Sequence, residues 1–145
     1  MKLVIVGDGP MRAQLEALRE KLDLQNQMVL APATNEVAQW MRSIDIFVQA
    51  STFESFSNAL LEAMACGCCA IGSRVGGTPE LIIDQASGLL FESGDLDGLV
   101  ECLKKVIRDA ELRNRLANAA ADRAANEFSI ERAVKRTQAL YTSLL

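Results

Sequence analysis

The sequence predicts an α/β fold whose strands run parallel. Three observations lead there. Short unbroken apolar runs, Leu3-Val4-Ile5-Val6, Ile46-Phe47-Val48 and Cys69-Ala70-Ile71, have the composition of strands covered on both faces. Segments with apolar residues at helical spacing lie between them. The handovers from strand to helix are short polar or glycine-rich turns, as in successive βα units. With 145 residues the chain is long enough for one domain with a sizeable core, and no repeat, low-complexity tract or linker interrupts it. A single domain over 1–145 is expected, helical from about 95 onward.

The elements follow in order. The strand Leu3–Val6 ends in Gly7-Asp8-Gly9-Pro10. Leu15, Leu18 and Leu22 set one face of a helix over 11–22. Val29-Leu30 is a short second strand. Thr34 or Asn35 caps a short helix over 36–42 that carries Val37, Trp40 and Met41 on one face. The stretch from Phe47 to Gly67 reads as a buried strand, a polar turn over 51–57, and a helix that Gly67 is placed to end. Cys69–Ser73 is the next strand, and Arg74 to Gly77 is a loop. Thr78-Pro79-Glu80 then looks like a helix start with a capping Thr, Pro at the first helical position and an acid in the first turn. Gly88–Phe91 is the last strand. Asp95 caps a helix whose Leu96, Leu99, Val100, Leu103, Val106 and Ile107 share a face. A further helix runs from about 110 to 125. Ser129 caps a final one, with Ile130, Ala133, Val134, Leu140, Tyr141 and Leu144 on its inner face.

Composition excludes several functions. The chain has no histidine, so Ser-His-Asp and Cys-His catalysis cannot be built from it alone, and the commonest zinc ligand is missing. A net charge of −4 argues against a general nucleic-acid surface. No aspartate cluster suggests a metal, and no cofactor is expected. Cys66, Cys68, Cys69 and Cys102 read first as reduced, buried small hydrophobes, with a redox-sensitive site and a metal site as the alternatives. No apolar run approaches the ~20 residues of a transmembrane helix, and no signal peptide precedes the first strand. A cytoplasmic location is the default expectation.

Gly7-Asp8-Gly9-Pro10 invites the dinucleotide-binding fingerprint, which wants a third glycine three residues after the second. Arg12 stands there, and Pro10 follows Gly9 directly, so the match fails. A nicotinamide or flavin site is not expected. Two readings remain: a tight turn that stops a strand, or a turn that also lines a ligand crevice. The turn between Ser51 and Ser57 is the better candidate, because ligands of parallel sheets bind at the carboxyl edge. The amides at the helix start around Ser57 to Leu60 are suited to an anion. Glu54 and Glu62 flank that start, and carboxylates accept hydrogen bonds from hydroxyls. A ligand with an anionic centre and hydroxyls at both ends satisfies all three groups, and a nucleotide-diphosphate sugar is such a ligand. The other reading is that Glu54 complements the helix dipole and Glu62 is simply solvated. Spacing leaves both open.

The segment Glu54-Ser55-Phe56-Ser57-Asn58-Ala59-Leu60-Leu61-Glu62-Ala63-Met64-Ala65-Cys66-Gly67 resembles the paired-glutamate motif of retaining glycosyltransferases. It is most similar to glycosyltransferase family 4 (group 1), of the two-domain GT-B architecture. Gly7-Asp8-Gly9-Pro10, Gly76-Gly77-Thr78-Pro79-Glu80 and Ser87-Gly88-Leu89-Leu90-Phe91 resemble that family's other landmarks in order, so the resemblance covers essentially the whole chain. It implies a Rossmann-like parallel sheet flanked by helices, the C-terminal donor-binding half of a GT-B fold without its first strand–helix unit. It implies that Glu54 contacts hydroxyls of the donor sugar and orients it as the catalytic carboxylate, and that Glu62 contacts the ribose hydroxyls. Ser55, Phe56, Ser57 and Leu60 would offer backbone amides to the sugar and diphosphate. Gly7 and Gly9 would shape the floor near the nucleotide. The implied reaction is sugar transfer by front-side attack, the departing diphosphate being helped by cations and helix amides.

Departures from the family pattern shape the expectation further. The segment that resembles the family's source of a diphosphate-neutralising Arg and Lys is absent, and so is the N-terminal acceptor domain. Arg12 and Arg74 are the remaining candidate phosphate contacts; each reads first as a solvated surface residue. Cys68-Cys69-Ala70 stands where the family more often places a proline and a valine. Little turnover is expected from the chain alone, because only one substrate site is visible. Its expected partners are a nucleotide-diphosphate sugar and a missing acceptor domain or separate subunit, with a homodimer also open. The alternative function is a non-catalytic α/β binding or interaction module. Glycosidase chemistry also uses two carboxylates, but it leaves the phosphate-ready helix start without a purpose.

Overall fold

A computed structural model describes residues 1–144, and the chain divides into two compact units, Met1–Val37 and Ala38–Leu145. In the first unit, β1 (Leu3–Val6) and β2 (Met28–Ala31) pair in parallel, Leu3 opposite Met28 and Val6 opposite Ala31. Helix α1 (Arg12–Lys21) connects them. Its N-cap residue, Met11, supplies no side-chain cap. Arg12 ties the helix start down instead: its guanidinium donates to Asp8 at 2.9 Å, to Glu16 at 3.0 Å and to the Leu30 carbonyl at 3.1 Å.

Helix α2 (Val37–Met41) begins at the division; the Thr34 hydroxyl accepts from the Glu36 amide, a local bond that ends before the first helical residue. The second unit then runs β3 (Ile46–Gln49), α3 (Asn58–Ala65), β4 (Cys69–Ser73), α4 (Thr78–Leu81), β5 (Leu89–Phe91), α5 (Leu96–Arg108), α6 (Ala110–Glu127) and α7 (Ile130–Ser143). Its three strands form a parallel sheet in the order β3-β4-β5, with Ile46 opposite Cys69 and Ile71 opposite Leu89. The α/β fold with parallel sheets flanked by helices is therefore as expected, though the five strands fall into two sheets.

The central strand explains the core. All five residues of β4 are buried, and its side chains alternate between two clusters as the pleat demands. Ala70 joins Leu60, Met64, Leu81, Ile82, Leu90, Ala120 and Ala124. Cys69 and Ile71 join Leu89, Phe91, Cys102, Val106 and Leu116. Helix α6 contributes to both clusters. Side-chain caps fix the helix starts: Ser57 accepts from the Leu60 amide, Asp95 from Gly98, Asp109 from Leu112 and Ser129 from Arg132. Asp109 closes α5 and opens α6, which joins the two helices with no loop.

Two expectations are corrected. Thr78 is the first residue of α4 and not its cap; Gly77 holds the capping position and Pro79 follows Thr78. The reason is packing. Thr78 is fully buried, and its methyl lies so close beneath Gly72 that a Cβ there would sit 2.6 Å away. The second correction is α7, which has no inner face: none of its residues is buried, and Ile130, Val134, Leu140 and Tyr141 are all exposed. Polar contacts attach its first turns, through Arg132 to the Asn126 carbonyl and to Glu127. Among the described residues, no helix is long and apolar enough to cross a membrane.

Candidate functional site

The carboxyl edge of the three-stranded sheet carries the Glu54 turn. β3 ends at Gln49, and the side-chain amide of Gln49 donates to Oε2 of Glu54 at 3.0 Å. Glu54 is half-buried, whereas Ser55 and Phe56 are exposed. Ser57 is buried and caps α3. That cap changes the expected amide inventory. The Leu60 amide is bonded to Ser57 Oγ at 3.1 Å, and Leu60 itself is fully buried in the core, so it does not face a ligand. The Leu61 amide bonds the Ser57 carbonyl. The amides of Asn58 and Ala59 precede the internal ladder of the helix and remain as its free donors. Glu62 lies exposed one turn further along α3.

A second turn braces the first. Ser73, the last residue of β4, donates its hydroxyl to the Ser51 carbonyl at 2.6 Å. The Gly77 amide donates to the Ser55 carbonyl at 3.0 Å. The approach is backbone on backbone and only glycine permits it. Gly76 has φ +47°, and a Cβ on it would overlap the Glu54 carbonyl oxygen; a Cβ on Gly77 would lie 2.5 Å from the Ser55 carbonyl oxygen. The ring of Phe56 reaches Phe128, centroids 6.0 Å apart, and Arg123 stacks 5.3 Å above Phe128 while donating to the carbonyls of Glu80 and Leu81. Sequence reasoning treats Phe56 as a backbone donor and misses this packing role. The available signal is the scarcity of aromatic residues in the chain.

The two candidate cations are both engaged. Arg74, in the loop after β4, donates to Glu92 at 3.0 Å and to Asp84 at 3.2 Å. In the first unit, Arg12 holds Asp8, Glu16 and the Leu30 carbonyl. It lines a surface hollow of about 260 Å³ together with Gly7, Gly9 and Pro10. Gly7 and Gly9 thus line a surface hollow of that unit.

The cysteines are free, and Cys68, Cys69 and Cys102 are buried. Burial pushes the Cys68 and Cys69 thiols up to about 11 and raises Cys102 as well. The Cys68 thiol donates to the Met41 carbonyl at 3.1 Å. Protonated, enclosed thiols are poor nucleophiles, which agrees with their reading as small core residues. Among the described residues, no group of three or more His, Cys, Asp or Glu is arranged to hold a metal. A pH dependence follows. Unfolded thiols ionise near their ordinary value of 9.0, while Cys68 and Cys69 stay protonated to about 11. Between those values the unfolded chain binds fewer protons, so stability is full below about pH 9 and falls as pH rises towards 11. The expected loss is about 2 kcal/mol for each thiol. Urea unfolding across this range measures it, and Cys69→Ala should remove about half of the fall attributable to the pair.

The family model described as glycosyl transferases group 1 matches residues 1–123. N-acetyl-alpha-D-glucosaminyl L-malate synthase of Bacillus anthracis is 33% identical over 144 residues, an alignment that covers 99% of this chain and 38% of that protein. The chain therefore spans well under half the length of that curated relative. The crystal structure of the C-terminal domain of a glycosyl transferase group 1 family protein, LpcC of Francisella tularensis, superposes with a TM-score of 0.82 at 30% identity, covering 89% of this chain and 70% of that one. Anabaena HepE, solved in complex with UDP-glucose, superposes with a TM-score of 0.88 at 24% identity and covers 99% of this chain and 41% of its own, a likeness of fold.

Proposed function

The chain belongs to the glycosyl transferases group 1 family and has the fold of a GT-B C-terminal domain; from that membership we propose that it binds the nucleotide-diphosphate-sugar donor of a retaining glycosyltransferase. The observation that carries the reading is the Glu54 turn. A carboxylate with one oxygen engaged by Gln49 stands beside the unbonded amides of Asn58 and Ala59, and the Gly76-Gly77 backbone holds it in place. The free oxygen of Glu54 accepts from hydroxyls of the donor sugar and orients the sugar for front-side attack. Glu62 accepts from the ribose hydroxyls. Backbone groups of Ser55, Phe56 and Ser57 follow the sugar and diphosphate.

The departing diphosphate gathers negative charge, which the first-turn amides of α3 stabilise. Arg74 contributes only by exchanging its carboxylate partners for phosphate. Both of its ion pairs are partly exposed, the Arg74 side chain at 41%, so each costs about 1 kcal/mol or less to give up. The proposed reaction uses no cofactor, since the nucleotide sugar is its substrate. The acceptor is supplied by another domain or subunit, and the chain alone turns over little. HepE, whose fold is shared, was solved with UDP-glucose, which makes uridine donors the first to try. Calorimetric titration with uridine, guanosine and adenosine diphosphate sugars at millimolar concentration should give heat with at least one. Glu62→Gln should weaken that binding about tenfold, the worth of one hydrogen bond to a charged acceptor. No heat from any donor overturns the reading.

A further inference from the structure

Gln49 is a polar side chain where the strand leads one to expect an apolar one. It ends β3 after Ile46, Phe47 and Val48, and only 8% of it is exposed. Its single side-chain hydrogen bond among the described residues runs from Nε2 to Oε2 of Glu54 at 3.0 Å. Its own carbonyl, Oε1, is buried without a partner. A half-satisfied buried amide is a worse filler of that space than methionine, and such a group persists where its geometry is in use. The amide has only one workable orientation. Flipped, it would set Oε1 against Glu54 Oε2, two acceptors facing each other.

Building on the donor-site reading, we propose that Gln49 is a positioning residue that fixes the rotation of the Glu54 carboxylate and thereby sets the affinity for the sugar part of the donor. With Oε2 held, the lone pairs of Oε1 on Glu54 are aimed before the ligand arrives. Without the bond, the carboxylate rotates and hydrates freely, and each binding event must order it again. The role differs from that of a strut. It acts on the sugar through Glu54, not on the nucleotide and not on the fold.

The test is Gln49→Met, which keeps the volume and removes both the donor and the unpartnered acceptor. Titrations use UDP-glucose with UDP, and GDP-mannose with GDP, followed by a melting curve for each protein. Gln49→Met should bind the accepted nucleotide sugar about tenfold more weakly, the loss of one charge-assisted hydrogen bond, and bind the bare diphosphate unchanged. Its melting temperature should stay level or rise, because an orphaned polar atom is gone. In a Glu54→Ala background the same change should have no further effect on sugar affinity. Gln49→Glu is the second variant. It keeps the shape, sets carboxylate against carboxylate, and should show the same sugar-selective loss. A Gln49→Met protein that melts earlier and loses sugar and bare diphosphate alike marks a structural strut and overturns the inference. So does one whose binding is unchanged while the unaltered chain binds. If the unaltered chain takes neither nucleotide sugars nor diphosphates, the donor-site reading falls, and this inference falls with it.

Discussion

Gly76→Ala should destabilise the protein by more than about 3 kcal/mol, among the larger effects a single substitution produces, and abolish binding at the Glu54 turn. Two costs combine. A side chain at φ +47° carries a left-handed backbone penalty of about 1 kcal/mol. The greater cost is steric: the new Cβ coincides with the Glu54 carbonyl oxygen, which is backbone and cannot swing aside. The loop after β4 must lift, and the Gly77–Ser55 hydrogen bond goes with it. Gly67→Ala is the control. Gly67 has φ +82°, but a Cβ there would meet nothing within 4 Å, so only the conformational cost of about 1 kcal/mol should appear. Urea unfolding of the two variants separates clash from conformation, and equal losses would mean that the two turns do not brace each other.

Leu60→Ala should cost about 3 to 4 kcal/mol, a large share of a marginal folding free energy. Leu60 has no exposed surface and belongs to the cluster of Met64, Ala70, Leu81, Ile82, Leu90, Ala120 and Ala124, where rigid neighbours from two strands and three helices leave a cavity unfilled. For a chain of this size the melting temperature should fall by roughly 10 °C. Because Leu60 anchors the first turn of α3, ligand binding should weaken with stability although the side chain touches no ligand. Leu96→Ala is the comparison. Leu96 is 70% exposed, and its loss should stay within about 0.5 kcal/mol.

Much of the fold is legible in the sequence because β4 and its neighbours are buried on both sides. Such strands write unbroken apolar runs, and Cys69-Ala70-Ile71 reads as a strand whatever surrounds it. The caps Asp95 and Ser129 are legible for a local reason: each bonds an amide three residues ahead. Counting amides at the start of α3 goes astray through that same chemistry, since Ser57 takes the Leu60 donor for itself. Arg12 passes for a free cation although Asp8 and Glu16 stand four residues to either side of it, within reach along the chain. Arg74 is a different case. Its partners Asp84 and Glu92 lie 10 and 18 residues further on, one before β5 and one just after it, a pairing that no local pattern encodes. Thr78 reads as a cap because its neighbours suit one, while its burial depends on the absence of a side chain at Gly72. Gln49 leaves a signal that only the fold makes meaningful, a polar residue closing an apolar run directly behind a carboxylate.

The bare face of α7 bears on how much of the chain takes part in cooperative unfolding. Denaturant sensitivity and heat capacity both scale with the area newly wetted when the chain unfolds. A fourteen-residue helix with no buried residue wets less new area than a packed helix does, and helices of that length are marginal without packing. The molecule therefore has two lengths. Its covalent length takes in α7, while the part that unfolding wets most strongly ends near Phe128, where α6 ends against the core.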